Sequence, residues 1–346
     1  MTEQLRIGIV GATSPLSGEL KEALAESALA GATFVLLDDA EAQGTLDQVG
    51  DEAAIVLGLG EDAFDGLDFV FFAGSSEQTR RWWCRAADAG ATILDMTGAL
   101  DAEPGVVIGS PWLRTADNEP DLLTRAMVPA HAGALAIAAI LNRLHAPGLL
   151  RTAAVTVLHP ASEFGTAALE ELHRQTVSVL NFQNLPQDVF GAQVAFNLMI
   201  ELGDAARASL HDADGRLRHH LATMLRGADV SMQMVQAPVF HGICLSVWVE
   251  LTRAVPRSAL EQALNSEPLQ LVPVGEPAPS NQEAIGQDLI LLRLASSGAG
   301  MAEAARQDEV RHFWLWAACD NLRLAARNAV DCALEMRRLR PRGQVQ

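Results

Sequence analysis

The chain has 346 residues, 49 % hydrophobic and 20 % charged, enough apolar material for a sizeable core; this excludes a wholly disordered or fibrous polypeptide. Its 43 acidic and 25 basic residues leave a net charge of −18, the wrong sign for a general nucleic-acid or anionic-membrane binder. At roughly 100–200 residues per domain, two domains are expected.

Leu5–Val10 is a short apolar run ending at Gly11 and predicts a buried strand. Gly18–Ala28 follows with Leu20, Ala23, Leu24 and Ala28 at helical spacing. Further strands are predicted at Thr33–Leu37, Phe69–Ala73 and Ala91–Leu94, with a helix from Glu77 to Ala89. Strands alternating with helices in this way predict a doubly wound parallel sheet. Beyond Met127 the pattern changes. Helices are expected at Ala132–Leu144, Gly165–Leu180 and Asn321–Leu339. Strands are expected at Ala153–Leu158, Ser231–Val235, Leu245–Leu251, Leu269–Val274, Leu289–Leu294 and His312–Ala317, and Pro273–Pro279 reads as a loop. The fold class is therefore α/β, a Rossmann-type sheet joined to an α+β domain with a mixed or antiparallel sheet.

Cys84, Cys244, Cys319 and Cys332 lie far apart without a Cys-x-x-Cys pair, which fits reduced thiols in a cytoplasmic protein. The most apolar run, Ala132–Leu141, is too short to span a bilayer, and no signal-peptide pattern precedes the first strand. The one lysine, Lys21, sits in a polar helical stretch, a poor setting for Schiff-base chemistry. Neither nucleic acid nor membrane is expected as a partner.

The segment Gly11-Ala12-Thr13-Ser14-Pro15-Leu16-Ser17-Gly18 joins strand to helix where a Rossmann fold holds a pyrophosphate on backbone amides. Gly11 suits that task. Ser14 and Ser17 stand where glycine is usual, and Pro15 removes one amide. Retained binding and a decayed site are open alternatives. The second strand ends in Asp38-Asp39-Ala40-Glu41, carboxylates without a cation, which favours NAD over NADP, or no nucleotide. Candidate cofactor residues here are Gly11, Thr13, Ser14, Leu16 and Asp38. The alternative reading of the acids is a solvated strand end.

Several segments now combine. They are Val10-Gly11-Ala12-Thr13, Phe72-Ala73-Gly74-Ser75-Ser76 and Gly90-Ala91-Thr92-Ile93-Leu94-Asp95. Then come Glu170-Glu171-Leu172-His173-Arg174-Gln175-Thr176, Ala195-Phe196-Asn197, Ala237-Pro238-Val239-Phe240-His241-Gly242 and Asp320-Asn321-Leu322-Arg323. In this order and spacing the chain resembles aspartate-semialdehyde dehydrogenase over nearly its whole length, most closely the Usg-type paralogue branch. The resemblance implies a homodimer, or a mixed dimer with an active homologue. It implies a nucleotide domain at 1–130, a central substrate and dimerisation domain at 131–318, and a last helix at 319–346 returning to the first. It adds Ser75 and Asn321 as cofactor residues.

In the family's reaction a cysteine thiolate attacks the aldehyde, a histidine moves protons, a nicotinamide takes hydride, phosphate cleaves the thioester and an arginine holds the substrate carboxylate. By resemblance, the nucleophile motif falls on Val128-Pro129-Ala130-His131, so His131 replaces the cysteine. The base motif falls on Gly242-Ile243-Cys244-Leu245, so Ile243 replaces the histidine. The substrate arginine becomes Gln236, which cannot make the bidentate pair. A glutamine that orients the nucleophile becomes His159, and the lysine-glycine after Asp320-Asn321 becomes Leu324-Ala325. Losing one member of such a constellation already removes most of its acceleration.

The resemblance therefore implies a non-catalytic dimeric paralogue. The alternatives are an NAD(P)-dependent oxidoreductase with another substrate, or a genuine aspartate-semialdehyde dehydrogenase. An exchanged pair of His131 with Cys244 conflicts with strand alternation, which turns Cys244 away if Ile243 points inward. His131, His159 and His241 lack close ligand spacing, so no metal is expected. His219-His220 reads as a polar helix face, and Trp82-Trp83 as packing residues.

Overall fold

The computed structural model describes residues 4–115, 118–295 and 309–339. In chain order the elements begin with β1 (Arg6–Val10), α1 (Pro15–Ala25), β2 (Thr33–Asp38), β3 (Leu46–Val49), β4 (Glu52–Ile55), β5 (Leu57–Gly58) and β6 (Phe69–Phe72). They continue with α2 (Ser76–Asp88), β7 (Thr92–Asp95), β8 (Val107–Gly109), β9 (Ala126–Pro129), α3 (Ala132–His145), β10 (Leu150–His159), a 3-10 turn (Ala161–Phe164) and α4 (Thr166–Leu180). Then follow α5 (Leu210–Met224), β11 (Val230–Gln236), β12 (Ile243–Pro256), α6 (Arg257–Leu264), β13 (Leu269–Leu271) and α7 (Asn281–Ala284). The described elements end with β14 (Ile290–Ala295), β15 (Glu309–Cys319) and α8 (Asn321–Leu339).

These form two compact units, Met1–His131 with Ala325–Gln346, and Ala132–Leu324. The first contains a seven-stranded sheet in the order β5-β2-β1-β6-β7-β9-β8, parallel throughout, and the small antiparallel hairpin β3-β4. Its strands are apolar on both faces because both faces are covered. In β6, Phe69 and Phe71 join one core with Leu20 and Leu24 of α1 and Ala329 and Ala333 of α8. Val70 and Phe72 join the other, with Ala86 of α2. Each fully buried phenylalanine of this kind stabilises the fold by roughly 1.5–3 kcal/mol. Within the same unit Trp112 donates to Asp331 and Arg114 pairs with Glu335, fastening the late part of α8.

The helix α1 starts three residues before the predicted Gly18. Ser14 is its N-cap, accepting from the Ser17 amide at 3.0 Å, and Pro15 opens the first turn, where its missing N–H costs nothing. Lys21 is buried rather than on a polar face: its Nζ donates to the Ala12 carbonyl at 3.1 Å and pairs with Asp47 of β3 at 2.5 Å.

The second unit holds a six-stranded mixed sheet, β11-β10-β12-β15-β14-β13, with α3 among its helices. The predicted apolar helix is present, every residue from Ala132 to Leu141 being buried. The long strands β12 and β15 pair antiparallel, Ile243 opposite Cys319 and Cys244 opposite Ala318. On α4, buried Glu171 accepts from the Val189 and Phe190 amides at 2.7 and 3.0 Å. Gln175, one turn on, accepts from the Val194 and Ala195 amides at 2.8 and 3.1 Å and donates to the Pro186 and Ala192 carbonyls. The two side chains thereby clamp the connection that follows α4. The predicted polar face at His219-His220 needs correction, since His220 of α5 is fully buried.

Candidate functional site

The first turn of the parallel sheet is built by hydroxyl groups in place of glycines. Gly11 has φ +76°, and a Cβ there would lie 2.1 Å from the Gly74 Cα, so two backbones meet with no room for a side chain. Ser14 Oγ donates to the Ala73 carbonyl at 2.7 Å, and Ser17 Oγ donates to the Ala12 carbonyl at 2.5 Å. The Gly11 and Ala12 amides donate to the Leu37 carbonyl, Ser14 N to Gly11, and Gly18 N to Ser14. Thr13 donates to Asp38 Oδ2 from its amide at 3.0 Å and from its hydroxyl at 2.8 Å. With Pro15 lacking an N–H and Ser17 N on Ser14, the segment commits almost every amide to the protein itself, Leu16 excepted. A pyrophosphate would have to displace these bonds.

Asp38 is a saturated carboxylate, 6 % exposed. Its Oδ1 accepts from the Asp39 amide and from Gln78 Nε2, both at 2.9 Å. Burial alone would raise the pKa of this group. The bonds from Thr13, Asp39 and Gln78 outweigh burial and hold it below the ordinary value of 3.8. The alternative of a solvated strand end therefore fails for Asp38. Ser75 is the N-cap of α2 in a reciprocal box: Gln78 N donates to Ser75 Oγ, and Ser75 N donates to Gln78 Oε1 at 3.0 Å. Beside it opens a hollow of about 420 Å³ whose walls include Asp39, Glu41, Ser75, Gln78, Arg81 and Trp82. Asp39 is exposed there. The hollow thus brings the Arg81 guanidinium beside the Asp39 and Glu41 carboxylates, a cation that the strand-end sequence did not show.

In the second unit, the strand registers bring together the residues on which the resemblance put the substrate and base motifs. His159 pairs with Gln236, Ile243 with Cys319, and Leu158 with Cys244, so His159 and Ile243 stand side by side. Gln236, His159, Ile243 and Cys319 thus share one face. Val235, Leu158, Cys244 and Ala318 share the other, where Cys244 packs with Ala284 and Leu291. Burial pushes the Cys244 thiol up to about 11, against a lowering contact from the Asn281 backbone.

The polar members of the row serve each other. Gln236 Nε2 donates to the His159 and Ala237 carbonyls at 3.1 and 3.0 Å, which leaves Oε1 to accept from His159 Nδ1 at 3.2 Å. Asn321 is equally committed: Nδ2 donates to Ser162 Oγ at 3.0 Å and Glu163 Oε1 at 2.8 Å, and Oδ1 accepts from the Gly242 amide at 2.9 Å. Asp320 accepts from Leu322 and Arg323 at the start of α8, and from Gly286. His131 closes the first unit, buried, next to Ala130, whose amide donates to Gly109 and whose carbonyl accepts from Asn328. Among the described residues no three His, Cys, Asp or Glu side chains gather as a metal site requires, and no helix is long and apolar enough to cross a membrane.

Sequence reasoning named Asp38 and Asp39 together and missed Gln78, which donates to both, and Arg81, which lines the same hollow. A Ser-x-x-Gln spacing ahead of α2 was the available signal.

A family model described as semialdehyde dehydrogenase, NAD binding domain, matches residues 6–119, and one described as semialdehyde dehydrogenase, dimerisation domain, matches residues 141–324. A USG-1 protein homolog from Pseudomonas aeruginosa is 30 % identical over 95 % of this chain and 97 % of its own length. An aspartate-semialdehyde dehydrogenase from Rickettsia bellii is 23 % identical over 97 % of this chain and 98 % of its own. The solved structure of a probable aspartate-semialdehyde dehydrogenase from Pseudomonas aeruginosa has 25 % identity and a TM-score of 0.82, covering 98 % of this chain and 99 % of that one. The chain belongs to the aspartate-semialdehyde dehydrogenase family. Within that family it stands on the USG-1 branch.

Proposed function

We propose that the protein is a non-catalytic, homodimeric member of its family, acting in the cytoplasm, with a nucleotide domain suited to NAD rather than NADP. The observation that carries this reading is the row Gln236, His159, Ile243 on one sheet face. Ile243 holds the base position with an aliphatic side chain, and its neighbour Cys244 faces an apolar core. Gln236, at the position of the carboxylate-binding arginine, spends both amide hydrogens on backbone carbonyls. A nicotinamide dinucleotide supplies hydride transfer when bound, but the one thiol on this face, Cys319 opposite Ile243, is buried and pushed well above the ordinary thiol range by burial, so the row offers no ready thiolate to form the thioester.

Support for pairing of two copies comes from the second unit, which matches a dimerisation domain. It exposes Leu180, Phe182, Phe196, Leu198 and Ile200, with Phe182 97 % exposed. Phe182 and Phe196 have φ of +53° and +61°, a conformation that bulky residues rarely adopt.

The test is a phosphate-dependent aldehyde oxidation assay with aspartate semialdehyde and either NAD or NADP, run beside sedimentation equilibrium. No turnover with a dimeric mass is expected. Robust turnover would overturn the non-catalytic reading, and a monomer at micromolar concentration would overturn the pairing. Oxidation of a different aldehyde would instead favour a dehydrogenase of altered substrate.

A further inference from the structure

The first turn carries an anion of its own. Asp38 ends β2 and is buried, with both carboxylate oxygens engaged by the protein. Oδ2 accepts from the amide and the hydroxyl of Thr13, and Oδ1 accepts from the Asp39 amide and Gln78 Nε2. These bonds keep Asp38 ionised at neutral pH. All four donors are neutral, so the negative charge is solvated by the protein and not cancelled.

The turn has little slack around this contact. Ser17 Oγ and Lys21 Nζ both hold the Ala12 carbonyl, and Ser14 Oγ donates to the Ala73 carbonyl. Gly11 packs on Gly74 with no room for a Cβ. The amides of such a turn are the donors that a phosphate uses in this fold. With its neighbours pinned, Thr13 can serve a ligand only by leaving Asp38. One cation lies on the adjoining hollow: Arg81, whose guanidinium is 5.1 Å from the Trp82 ring centroid. No described hydrogen bond ties Arg81 to the turn or to Asp38.

We propose that Asp38 is a resident counter-anion: it occupies Thr13 where a pyrophosphate would bind, and it sets a low affinity of the first turn for phosphate-bearing ligands. A dinucleotide then enters only as Thr13 gives up Asp38. This rests on the nucleotide reading above and adds the residue that restrains that site.

Isothermal titration of the full-length protein with adenosine, ADP and NAD tests it, using wild type and Asp38→Asn. The asparagine keeps an oxygen for Thr13 and removes the charge. ADP should bind Asp38→Asn about tenfold more tightly than wild type, because repulsion between like charges is lost, while adenosine stays within about twofold. Equal affinities for ADP overturn the counter-anion role. So does a loss of affinity for adenosine and ADP alike, which would make Asp38 a ribose ligand. A second measurement needs no variant. In isotope-labelled wild type the Thr13 amide resonance should move on saturation with NAD and stay in place with adenosine. If NAD binds and that resonance does not move, the phosphates lie elsewhere, with Arg81 the available cation, and the proposal fails while nucleotide binding stands. If neither protein binds any of these ligands, the nucleotide reading falls and the proposal with it.

Discussion

Thr13 and Asp38 meet across the first turn of the parallel sheet, amide and hydroxyl of one converging on a single carboxylate oxygen of the other at 3.0 and 2.8 Å. The pair places a resident negative charge against the turn that, in nucleotide-binding relatives of this fold, faces a phosphate. Because its bonds hold the folded pKa of Asp38 below 3.8, ionised Asp38 stabilises the fold. The sign follows: the contribution is complete above the unfolded value and disappears as pH falls through the lower, folded one. Asp38→Asn should therefore be less stable than wild type at pH 7. The gap should stay level down to about pH 5 and close below pH 3.8. Urea unfolding of both proteins from pH 7 to pH 3 measures it; a gap that widens on acidification contradicts the assignment.

Gly11 cannot be replaced. Its φ of +76° and the 2.1 Å that would separate an added Cβ from Gly74 combine strain with overlap between two backbones, neither of which can rotate away. Gly11→Ala should cost roughly 2–4 kcal/mol. The check is the denaturation midpoint, with Gly18→Ala as control, because a Cβ at Gly18 meets nothing within 4 Å.

The clamp on α4 predicts a local effect. Removing the amide in Gln175→Ala strands the Val194 and Ala195 amides and the Pro186 and Ala192 carbonyls, at a cost of roughly 2–4 kcal/mol. Hydrogen exchange should accelerate at the Val189–Ala195 amides before it does so in β12. Uniform acceleration would show that the clamp is no more than part of the global core.

Thiol reactivity should be confined to one site. Cys84 is exposed, while Cys244, Cys319 and Cys332 are buried. Burial pushes Cys244 to about 11 and Cys332 to about 12, and pushes Cys319 up as well, with Cys244 and Asp320 adding to the rise. Iodoacetamide at pH 7.5 should modify Cys84 first, although burial and the carboxylates of Asp88 and Glu103 raise its thiol too. Peptide mass spectrometry reads the order. Early modification of Cys244 would revive an exchanged cysteine-histidine pair.

The parallel sheet was legible because β1, β6 and β7 are apolar on both faces and punctuated by Gly and Asp. The face assignments of Ile243 and Cys244 also followed from simple alternation. Other features were hidden for stated reasons. The hairpin β3-β4 reads Leu-Asp-Gln-Val and Glu-Ala-Ala-Ile, too polar to announce itself. The helix α5 carries Asp-Ala-Asp-Gly-Arg in its first half, and its apolar stripe of Leu217, Leu221 and Met224 emerges only once His220 is seen to be buried. The saturation of Asp38 depends on partners 25 and 40 residues away, which no local pattern encodes. The same holds for Gln236 and His159, 77 residues apart.

Lys21 lies folded behind the first turn, 8 % exposed, with its ammonium on Ala12 and Asp47. As the sole lysine of the chain, it leaves the surface without a side-chain amine. Every other permanently charged basic side chain of the sequence is a guanidinium. Acylating reagents, amine-directed crosslinkers and any tagging enzyme that joins its cargo to a lysine would find this protein nearly blank until the turn that shields Lys21 came apart, which makes acylation of that one nitrogen a direct reporter of the turn's opening.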